Sequence, residues 1–231
     1  MARVQQRLAS RRPSVSTAAG RGEHRGVDEK RGLTTVAGLS LVGGFLETYT
    51  YRTRSGVFAN AQTGNVLKMI LIVLGERGES LFPCAWSLIL FCIGVLLAER
   101  MKEHGHEECE WMKLEMIVFI WMGMIPSSSL DFLVTGGVSL LCAVQSERFV
   151  RLPTTICTGN IRKAVRCREK REGREPLVSI IGFVIGAVLG VWTTRRWEHR
   201  AVWILVPVVW MLAKKKERRK RLSHWIGCAF K

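Results

Sequence analysis

The 231-residue sequence contains no CxxC pair, no nucleophile–histidine–acid arrangement, no phosphate-cradling glycine loop and no dinucleotide fingerprint. The local signatures of the common hydrolases, nucleotide-binding proteins and redox folds are therefore missing. Neither an enzyme nor a cofactor is expected, and no catalytic residue is singled out. Seven cysteines are present (Cys84, Cys92, Cys109, Cys142, Cys157, Cys167 and Cys228), an odd number without paired spacing. They read as small packing residues, not as a disulfide framework. Acids are scarce at the start, with none before Glu23, and no secretory apolar region follows the early arginines. That leaves a disordered basic tail or an organelle transit peptide, and the lack of an apolar helical face favours the tail.

What the sequence has instead is apolar chain in blocks. Leu81–Ala98 runs 18 residues without a charge, near the roughly 20 that a helix needs to cross a hydrocarbon core. Leu114–Pro126 and Leu177–Trp192 are shorter, and tryptophans such as Trp111, Trp121, Trp192, Trp197 and Trp203 stand in or near the ends of such blocks. Repeated blocks with interfacial tryptophan predict a helical protein of the bilayer. The candidate segments are Leu33–Tyr51, Gly56–Gly75, Leu81–Ala98, Leu114–Pro126, Leu130–Gln145, Leu152–Ile161, Leu177–Thr194 and Ala201–Ala213. Leu152–Ile161 is too short to cross alone and reads as re-entrant or partly immersed.

The net charge of +16 comes from three basic stretches: residues 1–32, 148–175 and 214–231. Flanking apolar spans, such charge points to cytoplasmic loops on anionic lipid, and nucleic acid is not expected as a partner. The stretch Lys214–Arg221, directly after a span, is the strongest lipid candidate. The loop Glu99–Lys113 holds five acids and three bases. Both termini are therefore expected in the cytoplasm with that loop outside, an assignment that requires Gly56–Gly75 to cross.

Thr63–Gly64–Asn65 recurs as Thr158–Gly159–Asn160, an offset of 95 residues that also aligns the flanking apolar blocks. The expected architecture is an all-α integral membrane protein with six to eight membrane segments in two related halves. A basic tail at 1–32 precedes a multi-pass domain at 33–213, with halves at about 33–126 and 130–213, and a basic tail closes the chain at 214–231. Repeats with polar groups at their junction follow a common transporter plan.

Gly43–Asn65, "GGFLETYTYRTRSGVFANAQTGN", and Cys142–Ala164, "CAVQSERFVRLPTTICTGNIRKA", resemble the two signatures of the YoaK-type family of uncharacterised membrane proteins. The resemblance runs from about Leu33 to Ala213 and implies a polytopic membrane protein without a known activity. Glu47 stands where the family usually has Asp, Ser146 where Asn usually follows Gln, and Lys68 enters a normally apolar run.

Glu47 is the sharpest candidate, because a carboxylate within a span costs at least about 2.5–3.5 kcal/mol near its centre. Proton coupling or cation binding competes with a salt bridge to Lys68, Arg52 or Arg54. Asn60, Gln62, Thr63, Asn65, Gln145, Thr155, Thr158 and Asn160 are the further candidates for a solute or ion site, with broken helices aiming their ends at a ligand. The competing expectation is a structural or assembly protein in which these groups only bond helix to helix. Gly182, Gly186 and Gly190 form a doubled GxxxG for close packing, within the fold or against a second copy of the chain. The cluster His104–Glu110 has metal-ligand residue types but reads as a solvated acidic loop, so no metal is expected. An organelle membrane is among the candidate locations.

Overall fold

A computed structural model describes residues 15–103, 108–127, 130–148, 157–166 and 174–229. The described chain is helical: α1 (Val15–Thr53), α2 (Gln62–Val73), α3 (Phe82–Glu103), α4 (Glu108–Met124), α5 (Asp131–Arg148), α6 (Cys157–Arg166), α7 (Arg174–Trp197), a 3₁₀ helix (Glu198–Ile204) and α8 (Leu205–Ala229). Residues 1–35 and 36–231 form separate compact units, and everything below concerns the second. Two stretches are helical, long and apolar enough to cross a membrane, Phe82–Glu103 and Arg174–Arg218.

Beside an apolar core that includes Leu39, Val42, Phe45, Phe119 and Met122, the helices bury many polar groups and expose many large apolar ones. Ser40, Arg54, Asn65, Ser87, Glu115, Ser139, Gln145, Asn160 and Ser179 are buried, whereas Ile93, Leu96, Ile117, Trp121, Ile185, Val188 and Trp192 are exposed. Water-soluble folds do the reverse, since exposing large apolar side chains costs about 25 cal/mol per Å².

Helix directions follow from the contacts. Arg54, at the end of α1, pairs with Asp131 at the start of α5 (2.9 Å), and Gln145, near the end of α5, donates to Leu39 O (3.3 Å). Helices α1 and α5 are therefore antiparallel. Phe82 and Trp86 of α3 stack on each other and meet Phe132 of α5 edge to face, and Ser87 meets Ser139, so α3 and α5 are parallel. In turn α7 runs parallel to α1. A methyl group added at Gly182, Gly186 or Gly190 would meet the carbonyl oxygen of Ala37, Leu41 or Phe45, and one at Gly44 would meet that of Phe183. The glycine strip thus seats α7 on α1, backbone against backbone. Gly186→Leu is expected to separate the two helices at a cost of about 1–3 kcal/mol or more, read as a lower melting temperature in detergent.

These directions place the short helices. Because α1 ends where α3 begins, the chain through α2 leaves and rejoins the long helices at one end. Because α5 ends where α7 begins (Gln145 near Leu39, Ser179 at Ser40), α6 lies at the other. Within Gly56–Gly75 the helix is Gln62–Val73, 12 residues. Lys102 pairs with Glu147 (3.3 Å), at the end where α5 finishes and where a methyl group added at Gly38 of α1 would meet Leu212 of α8.

Candidate functional site

At Ser55 and Gly56 the backbone turns through positive φ (56° and 61°), which ends α1 and sends the chain back along it. The returning residues 57–61 reach Glu47. Both Glu47 carboxylate oxygens accept backbone N–H bonds there, from Asn60 (2.8 Å) and Ala61 (3.0 Å). These amides precede and open α2, so the carboxylate sits on the positive end of a helix. None of the anticipated salt bridges forms. Arg52 donates to Thr194 Oγ1 (3.1 Å), Arg54 pairs with Asp131, and Lys68 donates to Gly56 O (2.6 Å) and lies 3.3 Å from Glu79.

Asn65 is engaged on every side. Its Oδ1 accepts from Phe58 N (2.9 Å), and its Nδ2 donates to Phe58 O (2.8 Å), Gln62 Oε1 (2.9 Å) and Ser87 Oγ (3.3 Å). Gln62 Nε2 returns a bond to Ala59 O (3.0 Å). Ser87 continues to Ser139 Oγ at 2.6 Å. The second motif has a counterpart: Asn160 Nδ2 donates to Ser179 Oγ (2.9 Å), which meets Ser40 Oγ at 2.8 Å. In each case the motif asparagine bonds a serine of the next long helix, and that serine bonds one from the first helix of the other half. Thr63 and Thr158 are exposed and Gln145 is buried against α1. Thr155 and most of His104–Glu110 lie outside the described residues. Among the described residues no three His, Cys, Asp or Glu side chains come together as a metal site.

Asn60 is different. The residue is only 6% exposed, and its amide finds no oxygen or nitrogen partner, only the weak hydrogen bond of a thiol. It lies against the thiol of Cys142 on α5, and Cys142 is within electrostatic reach of Glu47. So is Cys157, the first residue of α6.

Two features escaped sequence reasoning. Glu115 of α4 is wholly buried and also within electrostatic reach of Cys142. It accepts one bond, from Trp111 Nε1 (2.8 Å), and its second oxygen has none. The rule that singled out Glu47 applies equally to this lone acid in an apolar block. The second feature is Arg54. Fully buried, it donates to Asp131, to Tyr49 Oη (3.0 Å) and to the carbonyls of Met122 (3.2 Å), Ile125 (2.6 Å) and Pro126 (3.2 Å) at the end of α4. Tyr49 Oη in turn donates a hydrogen bond to His199 O (2.9 Å). Arg54 ties three helix ends and the 3₁₀ helix into one knot.

Residues 35–213 match the profile of a family described as "Protein of unknown function (DUF1275)". No curated protein and no solved structure gave a match.

Proposed function

Taking as premise that the chain belongs to the DUF1275 family of proteins of unknown function, we propose that it is a multi-pass membrane protein that binds a small solute or ion, for passage across the bilayer. Helices α1, α3, α4, α5, α7 and α8 cross, six in all, while α2 and α6 enter from opposite faces and return. The halves at about 33–126 and 130–213 are then related with opposite orientation, a plan that brings half-helix ends together near the membrane midplane. The exposed apolar side chains face lipid. The end that holds Lys214–Arg221, Arg162–Arg166 and Arg174 faces the cytoplasm and anionic lipid.

The observation that carries the binding reading is Asn60. A buried amide with only a thiol beside it leaves bonds unmade, at about 1–3 kcal/mol, and here it stands at the opening of α2, where its own backbone N–H is bound by the Glu47 carboxylate. A ligand that hydrogen-bonds to it relieves that cost. The test is thermal stability of detergent-purified protein against a panel of ions and metabolites. A ligand at about 100 times its dissociation constant should stabilise wild type by about 2.7 kcal/mol. Asn60→Ala should lose that shift while melting close to wild type without ligand, because only a weak contact with the Cys142 thiol is lost.

A structural or assembly role is the second reading, and Asn65 and Asn160 favour it, since both bond helices together. It predicts that no ligand shifts the melting temperature. Under either reading the protein stays in the membrane pellet through a high-salt wash. A nucleic-acid-binding protein held by charge alone would be released.

A further inference from the structure

A second site lies away from Asn60, at the end of α7, and rests on the membrane-spanning part of the reading above. Under that reading this end lies on the side of the bilayer away from Lys214–Arg221. Yet Arg195, Arg196 and Arg200 stand there, all exposed, although the rule that gathers Lys and Arg in cytoplasmic loops does not call for them. Arg52, at the end of α1, is drawn alongside by its bond to Thr194 Oγ1 (3.1 Å) and is exposed as well. Among the described residues none of these guanidinium groups pairs with an acid, and Glu198, next in the chain, forms no salt bridge with them.

Their depth follows from the aromatic rings around them. Trp192 and Trp197 meet edge to face with ring centroids 6.2 Å apart, and both are exposed. Exposed indoles settle at the headgroup level, and Arg195 and Arg196 lie in the turn between the two. Helical spacing of three and four residues carries the same face back through Trp192, Val188, Ile185, Val184 and Ile181, all exposed, as residues so spaced share a face. The glycines that seat on α1 occupy another face. From Ile181 to Trp192 the stripe runs roughly 16 Å by the helical rise, about half of a hydrocarbon core. That is the depth of one leaflet, and so the reach of one acyl chain.

We infer that this face binds an anionic phospholipid of the leaflet away from the cytoplasm, its phosphate on Arg195 and Arg196 and an acyl chain along α7. Guanidinium forks match phosphate oxygens two at a time. Arg200 and Arg52 flank the phosphate and repel the choline of a zwitterionic headgroup, which makes the site selective for net negative charge. An acidic protein would meet the arginines but leave the apolar stripe, at hydrocarbon depth, uncovered.

The experiment is a melting-temperature titration of the purified full chain in detergent micelles with dioleoyl phosphatidylglycerol or dioleoyl phosphatidylcholine. Wild type should show a saturable rise with phosphatidylglycerol at a mole fraction about tenfold or more below that needed for phosphatidylcholine. Arg195→Gln/Arg196→Gln should lose that preference, while Lys214→Gln/Lys215→Gln, at the other end of the bundle, should keep it. A preference that survives in Arg195→Gln/Arg196→Gln would place the lipid elsewhere and overturn the inference. Inorganic phosphate or glycerol phosphate acting as the lipid does would mean a free-phosphate site, which overturns it too. Equal effects of the two lipids, or none, overturn it and leave the membrane reading standing if the protein stays in the membrane pellet through a high-salt wash. Release from the pellet would overturn both. Should the arginine variant not fold, wild type and Trp192→Phe are titrated with the same lipids brominated on an acyl chain. Stronger fluorescence quenching by brominated phosphatidylglycerol, reduced in Trp192→Phe, supports the inference. Quenching that is equal for the two lipids, or unchanged by that substitution, overturns it.

Discussion

Replacing Arg54 with Met should destabilise the protein by about 3–5 kcal/mol, the cost of breaking a buried ion pair by removing one partner. The guanidinium is completely buried and holds Asp131, Tyr49 and three carbonyls at the end of α4. Met122 O also accepts from Ile125 N (3.3 Å), but Ile125 O and Pro126 O lie past the last turn of α4, and the negative end of a helix favours a cation there. Lys cannot substitute, because one ammonium does not match a planar fork that reaches five acceptors. Arg54→Lys should therefore lose most of the same stability. The partner change is milder: Asp131 is 14% exposed on its side chain, so Asp131→Asn keeps an acceptor and access to solvent. The pair Arg54→Met/Asp131→Leu should recover part of the loss, since it leaves no unmatched charge. Urea or thermal melts of the four variants in detergent check this order. Arg54→Met melting within a degree or two of wild type would mean that the knot contributes nothing.

Asn65→Ala should have the second-largest effect, about 2–4 kcal/mol. Hydrogen bonds between membrane helices average about 0.6 kcal/mol each, but this substitution removes four at once. It also leaves Phe58 N without its acceptor and Phe58 O with only Ser87 Oγ (3.3 Å), and unmade buried bonds cost more than made ones gain. Ser87→Ala, by contrast, should cost about 1 kcal/mol, because Asn65 keeps its bonds to Phe58 and Gln62. Asn65→Asp separates the roles, since it accepts from Phe58 N but cannot donate to Phe58 O. It should resemble Ala more than wild type. If Asn65→Ala melts like wild type yet abolishes a ligand response, the asparagine belongs to the ligand site and not to the scaffold.

The contrast between Asn60 and Asn65 shows where reading residues in order stops. Both stand in "FANAQTGN", both are amides in a polar break, and no spacing rule ranks them. One is consumed by Phe58, Gln62 and Ser87, and the other is left open. The difference depends on which side chains α3 and α5 deliver, namely Ser87 to one and Cys142 to the other. Glu47 likewise announced itself as a carboxylate in a span, but its partners are backbone amides, which have no residue letter of their own. Arg54 was weighed as a partner for Glu47 because it is near in sequence. Its acceptors lie about 70 residues further on.

By itself the sequence determined a helical chain, the apolar segments, the family and the presence of unusual polar groups within them. Those properties depend on composition and short-range periodicity, which each stretch carries alone. Tertiary structure decided that α7 seats on α1 through its glycines, that backbone amides hold Glu47, and that Arg54 gathers the end of α4 and the start of α5. These are matters of helix direction and of which faces meet, set by pairings such as Arg54 with Asp131 and Ser40 with Ser179. Such pairings join residues 77 and 139 positions apart, so their strength depends on the whole bundle being assembled.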